Sequence, residues 1–112
     1  MTAYSYYMSQ DSKTYAQAQN DCRWVGGEIA SIFSRDEEEH ILSLFTSSEY
    51  WIGCKMSKSE KSFAWSSGAF SSFSNFRNGE ASKIGCAVIT KSGWISKPCD
   101  TTRRYICKFT SK

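Results

Sequence analysis

The chain has 112 residues, a formal net charge of +3, and 40% hydrophobic and 15% aromatic residues. That suffices for one packed domain, is too short for two, and argues against global disorder. Lysines and arginines are scattered rather than gathered on one stripe, which points away from nucleic acid as a partner.

The five cysteines point to an oxidising compartment. None forms a Cys-x-x-Cys pair, and the single histidine, His40, is far from any cysteine in sequence, so structural zinc is not expected. The opening "MTAYSYYMSQ" lacks a basic start followed by an apolar run, so no signal peptide is visible. No stretch is apolar for the roughly 18 residues a membrane span needs. A mature or excised piece of a longer secreted or membrane-anchored precursor is therefore expected.

In chain order, "YSYYM" (4–8) reads as a short strand. A helix follows, with Asp11 and Ser12 as cap candidates. Tyr15, Ala18, Cys22 and Val25 form its inward stripe, and Gly26-Gly27 ends it. "SRDEEEHILSLF" (34–45) reads as a second helix. Ser34 and Glu37 match a capping box, and Ile41, Leu42 and Phe45 supply the apolar stripe. The acidic run 36–39 reads as a solvated helix start favoured by the helix dipole, rather than a metal site. From residue 50 the pattern changes to strands: "YWIGCKM", "SFAWSSG", "GCAVIT", "GWIS" and "RRYICKF". Helices first and strands after indicate α+β. Between Ser66 and Gly85 lies a loop rich in serine and glycine that carries Phe70, Phe73 and Phe76.

Sequence alone leaves the cysteine pairing open. Placement on these elements favours Cys22 with Cys107 and Cys86 with Cys99, leaving Cys54 single. Cys54 reads as a buried inert thiol or, alternatively, as the site of an intermolecular bridge.

The segments "TYAQAQNDCRWVGGEIASI", "SRDEEEHIL", "YWIGC", "FAWSSG", "NFRNGE", "CAVI", "GWISKPC" and "RRYICKF" resemble, in order, the landmarks of the C-type lectin-like domain. The resemblance covers nearly the whole chain. It implies a single domain over residues 1–112 with its core at about 4–109. The implied fold is the double-loop α+β one, with two helices flanking antiparallel sheets and the same two bridges. No cysteines are present for the extra amino-terminal bridge of longer members, so the short form is implied. Trp51, Trp65 and Trp94 become core residues, as does Phe76; Trp24 has no obvious place.

Calcium-dependent sugar binders of this family carry Glu-Pro-Asn or Gln-Pro-Asp in the long loop and Trp-Asn-Asp in the next strand. Here those positions hold Glu80-Ala81-Ser82 and Trp94-Ile95-Ser96. A hard cation needs about six to eight oxygen ligands, and one carboxylate with a few hydroxyls falls short. No metal and no cofactor are expected. The expected function is non-catalytic, calcium-independent binding of a glycan or an extracellular protein. The domain would be secreted or part of a membrane-anchored protein, with no membrane insertion by this chain. The expected ligand face is Phe70, Phe73, Asn75, Arg77, Asn78, Glu80 and Lys83, a mixture of stacking area and orienting polar groups. The alternative is an assembly module that forms a homodimer through Cys54 or a loop aromatic patch. No triad or metal motif accompanies His40, so an enzyme is not expected.

Overall fold

The computed structural model describes residues 3–56, 65–69 and 71–111. Strand β1 (Ala3–Met8) is followed by helix α1 (Tyr15–Trp24), strand β2 (Glu28–Ile29) and helix α2 (Arg35–Ser43). Next come β3 (Tyr50–Met56), one 3-10 turn (Glu80–Ser82), β4 (Gly85–Thr90), β5 (Gly93–Lys97) and β6 (Ile106–Ser111). Two antiparallel sheets result, ordered β1-β6-β2 and β3-β4-β5. The two ends of the described chain are closed by β1 against β6, in register from Ala3 with Ser111 to Met8 with Ile106.

Helix α1 presents Tyr15, Ala18 and Cys22 inward, as the spacing predicts. Its start differs from the expected Asp11 or Ser12. Lys13 pairs with Arg103 through two backbone hydrogen bonds of 2.9 Å, which keeps the chain extended past those residues. Thr14 is the cap instead, in a reciprocal capping box with Gln17. At the other end the helix stops at Trp24, and Gly26 turns the chain with a left-handed φ of 89°. Val25 therefore leaves the expected inward stripe and lies 60% exposed.

Helix α2 corrects the expectation of a solvated acidic start. Ser34 accepts from the Glu37 backbone N–H, but the Glu37 carboxylate reaches Phe33 N–H at 2.7 Å, one residue before the box position. Glu37 also accepts from Tyr6 Oη and pairs with Lys108 Nζ at 2.6 Å. Burial pushes the Lys108 ammonium below its ordinary pKa, and Glu37 opposes that shift. Glu38 is only 3% exposed. Asp36 and Glu39 alone in the run behave as solvated groups.

Strand β3 is buried along almost its whole length, and its period of two feeds two apolar clusters. Tyr50, Ile52, Cys54 and Met56 join Ile41, Ala87, Ile89, Trp65 and Trp94 in one. Trp51 joins Tyr15, Ala18, Cys22, Val88 and Tyr105 in the other. The disulfides are Cys22–Cys107 and Cys86–Cys99, the pairing favoured by element placement. The first ties α1 to β6, and the second anchors the start of β4 to the segment after β5.

Cys54 belongs to neither bridge and is fully buried. An intermolecular bridge through it would require opening the core, so it does not serve as an accessible dimer contact. A charged thiol reagent is expected to leave Cys54 unmodified in the native protein and to label it fully in denaturant. Rapid native labelling, or a disulfide dimer lost on Cys54→Ala, would restore the assembly alternative.

Candidate functional site

The loop entering β4 is held against β5 by main-chain bonds. Trp94 N–H donates to Asn75 O at 2.8 Å, and Arg77 N–H donates to Trp94 O at 2.9 Å. Gly93 permits this approach. A Cβ there would lie 2.8 Å from Arg77 Cγ and 3.0 Å from Asn75 O, and its φ of 124° disfavours other residues.

The described aromatic groups of the loop, Phe73 and Phe76, turn inward. Phe73 and Phe76 pack edge-on against Trp94, with ring centroids 6.0 and 5.2 Å away, and Trp94 packs edge-on against Trp65 at 5.5 Å. Asn75 is used internally too. Its amide donates to both Glu38 oxygens at 2.9 and 3.0 Å, and Trp94 Nε1 donates to Glu38 Oε2 at 2.7 Å. A buried carboxylate on α2 thus fixes the first part of the loop. Phe70 lies outside the described residues.

The remaining four expected residues do converge. Arg77, Asn78, Glu80 and Lys83 line an open cleft of about 430 Å³ together with Ile95 and Lys97 of β5. The 3-10 turn brings Glu80 beside β5, where Oε1 accepts from Ser96 N–H at 2.9 Å and Oε2 accepts from Lys83 Nζ. The Lys83 bond, then the Ser96 N–H, hold the Glu80 carboxyl below the usual carboxylate range. Its clamp therefore contributes fully above the ordinary glutamate pKa and is lost as pH falls through the lowered value.

Ile95 and Lys97 reach the cleft by strand pairing from a segment fifteen or more positions beyond Glu80. The available signal was the Trp94-Ile95-Ser96 segment, which the resemblance aligns with a ligand-bearing strand.

These donors do not suit calcium. Both Glu80 oxygens are already engaged, Ser82 Oγ donates to Gly79 O at 2.9 Å, and Arg77, Lys83 and Lys97 line the same cleft. Three fixed cations in place of convergent carboxylates disfavour a dication.

A second cavity, of about 520 Å³, is lined by Tyr7, Asp21, Trp24, Val25, Tyr105, Cys107 and Phe109. Trp24 stands 89% exposed at its edge. Among the described residues its one charged group, Asp21, is paired with Lys13 and accepts from Tyr105 Oη at 3.3 Å. It offers apolar area but few polar groups left to orient a ligand.

A family model described as the Lectin C-type domain matches residues 11–109. The C-type mannose receptor 2 of Homo sapiens is 31% identical over an alignment of 115 positions that covers 92% of this chain and 8% of the receptor. The low affinity immunoglobulin epsilon Fc receptor of Mus musculus is 30% identical over an alignment of 99 positions that covers 84% of this chain and 30% of the receptor. The chain thus spans only a minor part of either receptor. Among solved structures, human lithostathine superposes with a TM-score of 0.86 at 27% identity, covering 96% of this chain and 84% of that one. None of these similarities indicates an enzyme family. With that family model over most of the chain, and with two helices and two antiparallel sheets among the described residues superposing on human lithostathine, the chain belongs to the C-type lectin domain family.

Proposed function

We propose that residues 1–112 act as one non-catalytic, calcium-independent recognition domain whose ligand, a glycan or a protein, docks at the cleft of Arg77, Asn78, Glu80, Lys83, Ile95 and Lys97. The observation that carries this reading is the state of Glu80. Its two oxygens bind Ser96 N–H and Lys83 rather than remaining available to a metal. The cleft keeps the exposed donors of Arg77 and Asn78 for direct contact with a ligand. One relative is named for a sugar and another for an immunoglobulin, which supports both ligand classes. Receptor relatives and two disulfides support a secreted protein or the extracellular part of an anchored one. A single cleft without a metal should hold a monosaccharide weakly, at about millimolar Kd, so useful avidity needs several copies or a larger epitope.

The test is a glycan array, with a pull-down from extracellular extract beside it, each run with millimolar Ca²⁺ and with EDTA. Binding should be the same in both conditions. The double variant Arg77→Ala/Asn78→Ala, with native circular dichroism, should lose it. EDTA-reversible thermal stabilisation by Ca²⁺ that disappears in Glu80→Ala would refute calcium independence. Undiminished binding by the double variant would move the site to the Trp24 cavity.

A further inference from the structure

We infer that the cleft selects saccharides bearing a sulfate ester or a carboxylate; this rests on the cleft being the binding site and deepens that reading. Three cations line it, Arg77, Lys83 and Lys97, against the one carboxylate of Glu80. Lys83 and Glu80 largely cancel each other as an ion pair. Among the described residues, neither the Arg77 guanidinium nor the Lys97 ammonium has an ion-pair or side-chain hydrogen-bond partner. Two cations outside any contact ion pair therefore flank one cleft of about 430 Å³, within the size range of sites for small ligands. The planar fork of an arginine matches the oxygens of a sulfate or carboxylate, and a lysine adds a point charge beside it.

The rest of the lining favours a sugar over an acidic peptide. Among the described residues Ile95 is its only apolar side chain, and none of those lining it is aromatic. Protein interfaces owe most of their affinity to aromatic or aliphatic anchors seated in pockets, and such a pocket is missing here. Asn78 supplies both a donor and an acceptor, which suits ring hydroxyls around a charged group. Charge complementarity supplies the preference for the anion, and the polar lining supplies the preference for the sugar.

Nitrogen-15 NMR titrations of the intact chain test this with four probes. These are a sulfated chondroitin disaccharide, its unsulfated uronic counterpart, neutral lactose, and a tetraglutamate peptide. Both anionic sugars should shift the amides of residues 77–83 and 95–97 and bind at least about tenfold more tightly than lactose or the peptide. The ratio of the two sugars tells sulfate from carboxylate as the preferred group. Affinity should fall by about tenfold or more in Arg77→Gln/Lys97→Gln, and should weaken as salt is raised. Lactose binding equally well at those amides would overturn anion selectivity while leaving the site in place. Anionic sugars shifting only amides elsewhere would overturn both the inference and the site. Tetraglutamate binding as tightly as the sugars would overturn the preference for a saccharide.

Discussion

Replacing Cys22 and Cys107 together by alanine is expected to remove about 4 kcal/mol of folding stability. The bridge closes a sequence separation of 85 residues and joins α1 to the central strand of the β1-β6-β2 sheet. Both half-cystines are buried, so the variant also loses packing between Tyr15, Trp51 and Tyr105. For a chain of this size the change should lower the melting temperature by roughly 15–25 °C. Since small domains are stable by only about 5–15 kcal/mol, much of the margin would disappear. Removing Cys86–Cys99, which spans 13 residues, should cost less, about 3 kcal/mol. Urea denaturation of the two variants checks the order. A larger loss from the shorter bridge would mean that local strain or residual denatured structure, rather than chain entropy, governs both.

The second large effect is expected at Glu38. Glu38→Ala should cost about 3 kcal/mol, because it removes the acceptor serving Trp94 Nε1 and the Asn75 amide. It also leaves a void beside Trp94, which is fully buried. Glu38→Gln should lose less, since one oxygen remains to accept while its new amide faces donors. The consequence should reach the cleft of Arg77 and Glu80. Residues 75–77 are tied to β5 by backbone bonds and to α2 by Glu38, so amide exchange there should accelerate more than in β1. Unchanged denaturation midpoints for both variants would show that the buried carboxylate contributes nothing to loop attachment.

Much of the scaffold was legible from local pattern. Tyr15, Ala18 and Cys22 lie at helical spacing and are buried together. The apolar run in "YWIGCKM" anticipated a strand, and β3 divides its side chains between two clusters. Short-range periodicity carries this information because it reflects backbone geometry, which each residue shares with its near neighbours. Two-residue β2 was not legible, since Glu28–Ile29 is a strand only through pairing with Lys108 and Cys107.

The site was only partly legible, and the reason is chemical. Arg77, Asn78, Glu80 and Lys83 sit on one turn, so sequence proximity already grouped them. Phe73 and Asn75 belong to the same expected ligand face, yet Trp94 and Glu38 take up their ring and amide. An acidic residue in the first turn of a helix is stabilised by the dipole whether it faces water or the core. The linear pattern of 36–39 therefore could not separate Asp36 from Glu38. A partner 56 residues away, Trp94, makes that separation. By itself the sequence determined the helices, the main strands and the family frame, through local periodicity and residue chemistry. Only tertiary structure decided which polar groups of the loop are consumed by the core and which line the open cleft, with Ile95 and Lys97 brought in by strand pairing. A hydrogen bond or apolar contact depends on atoms lying a few ångströms apart, and distant parts of the chain reach that proximity only on folding.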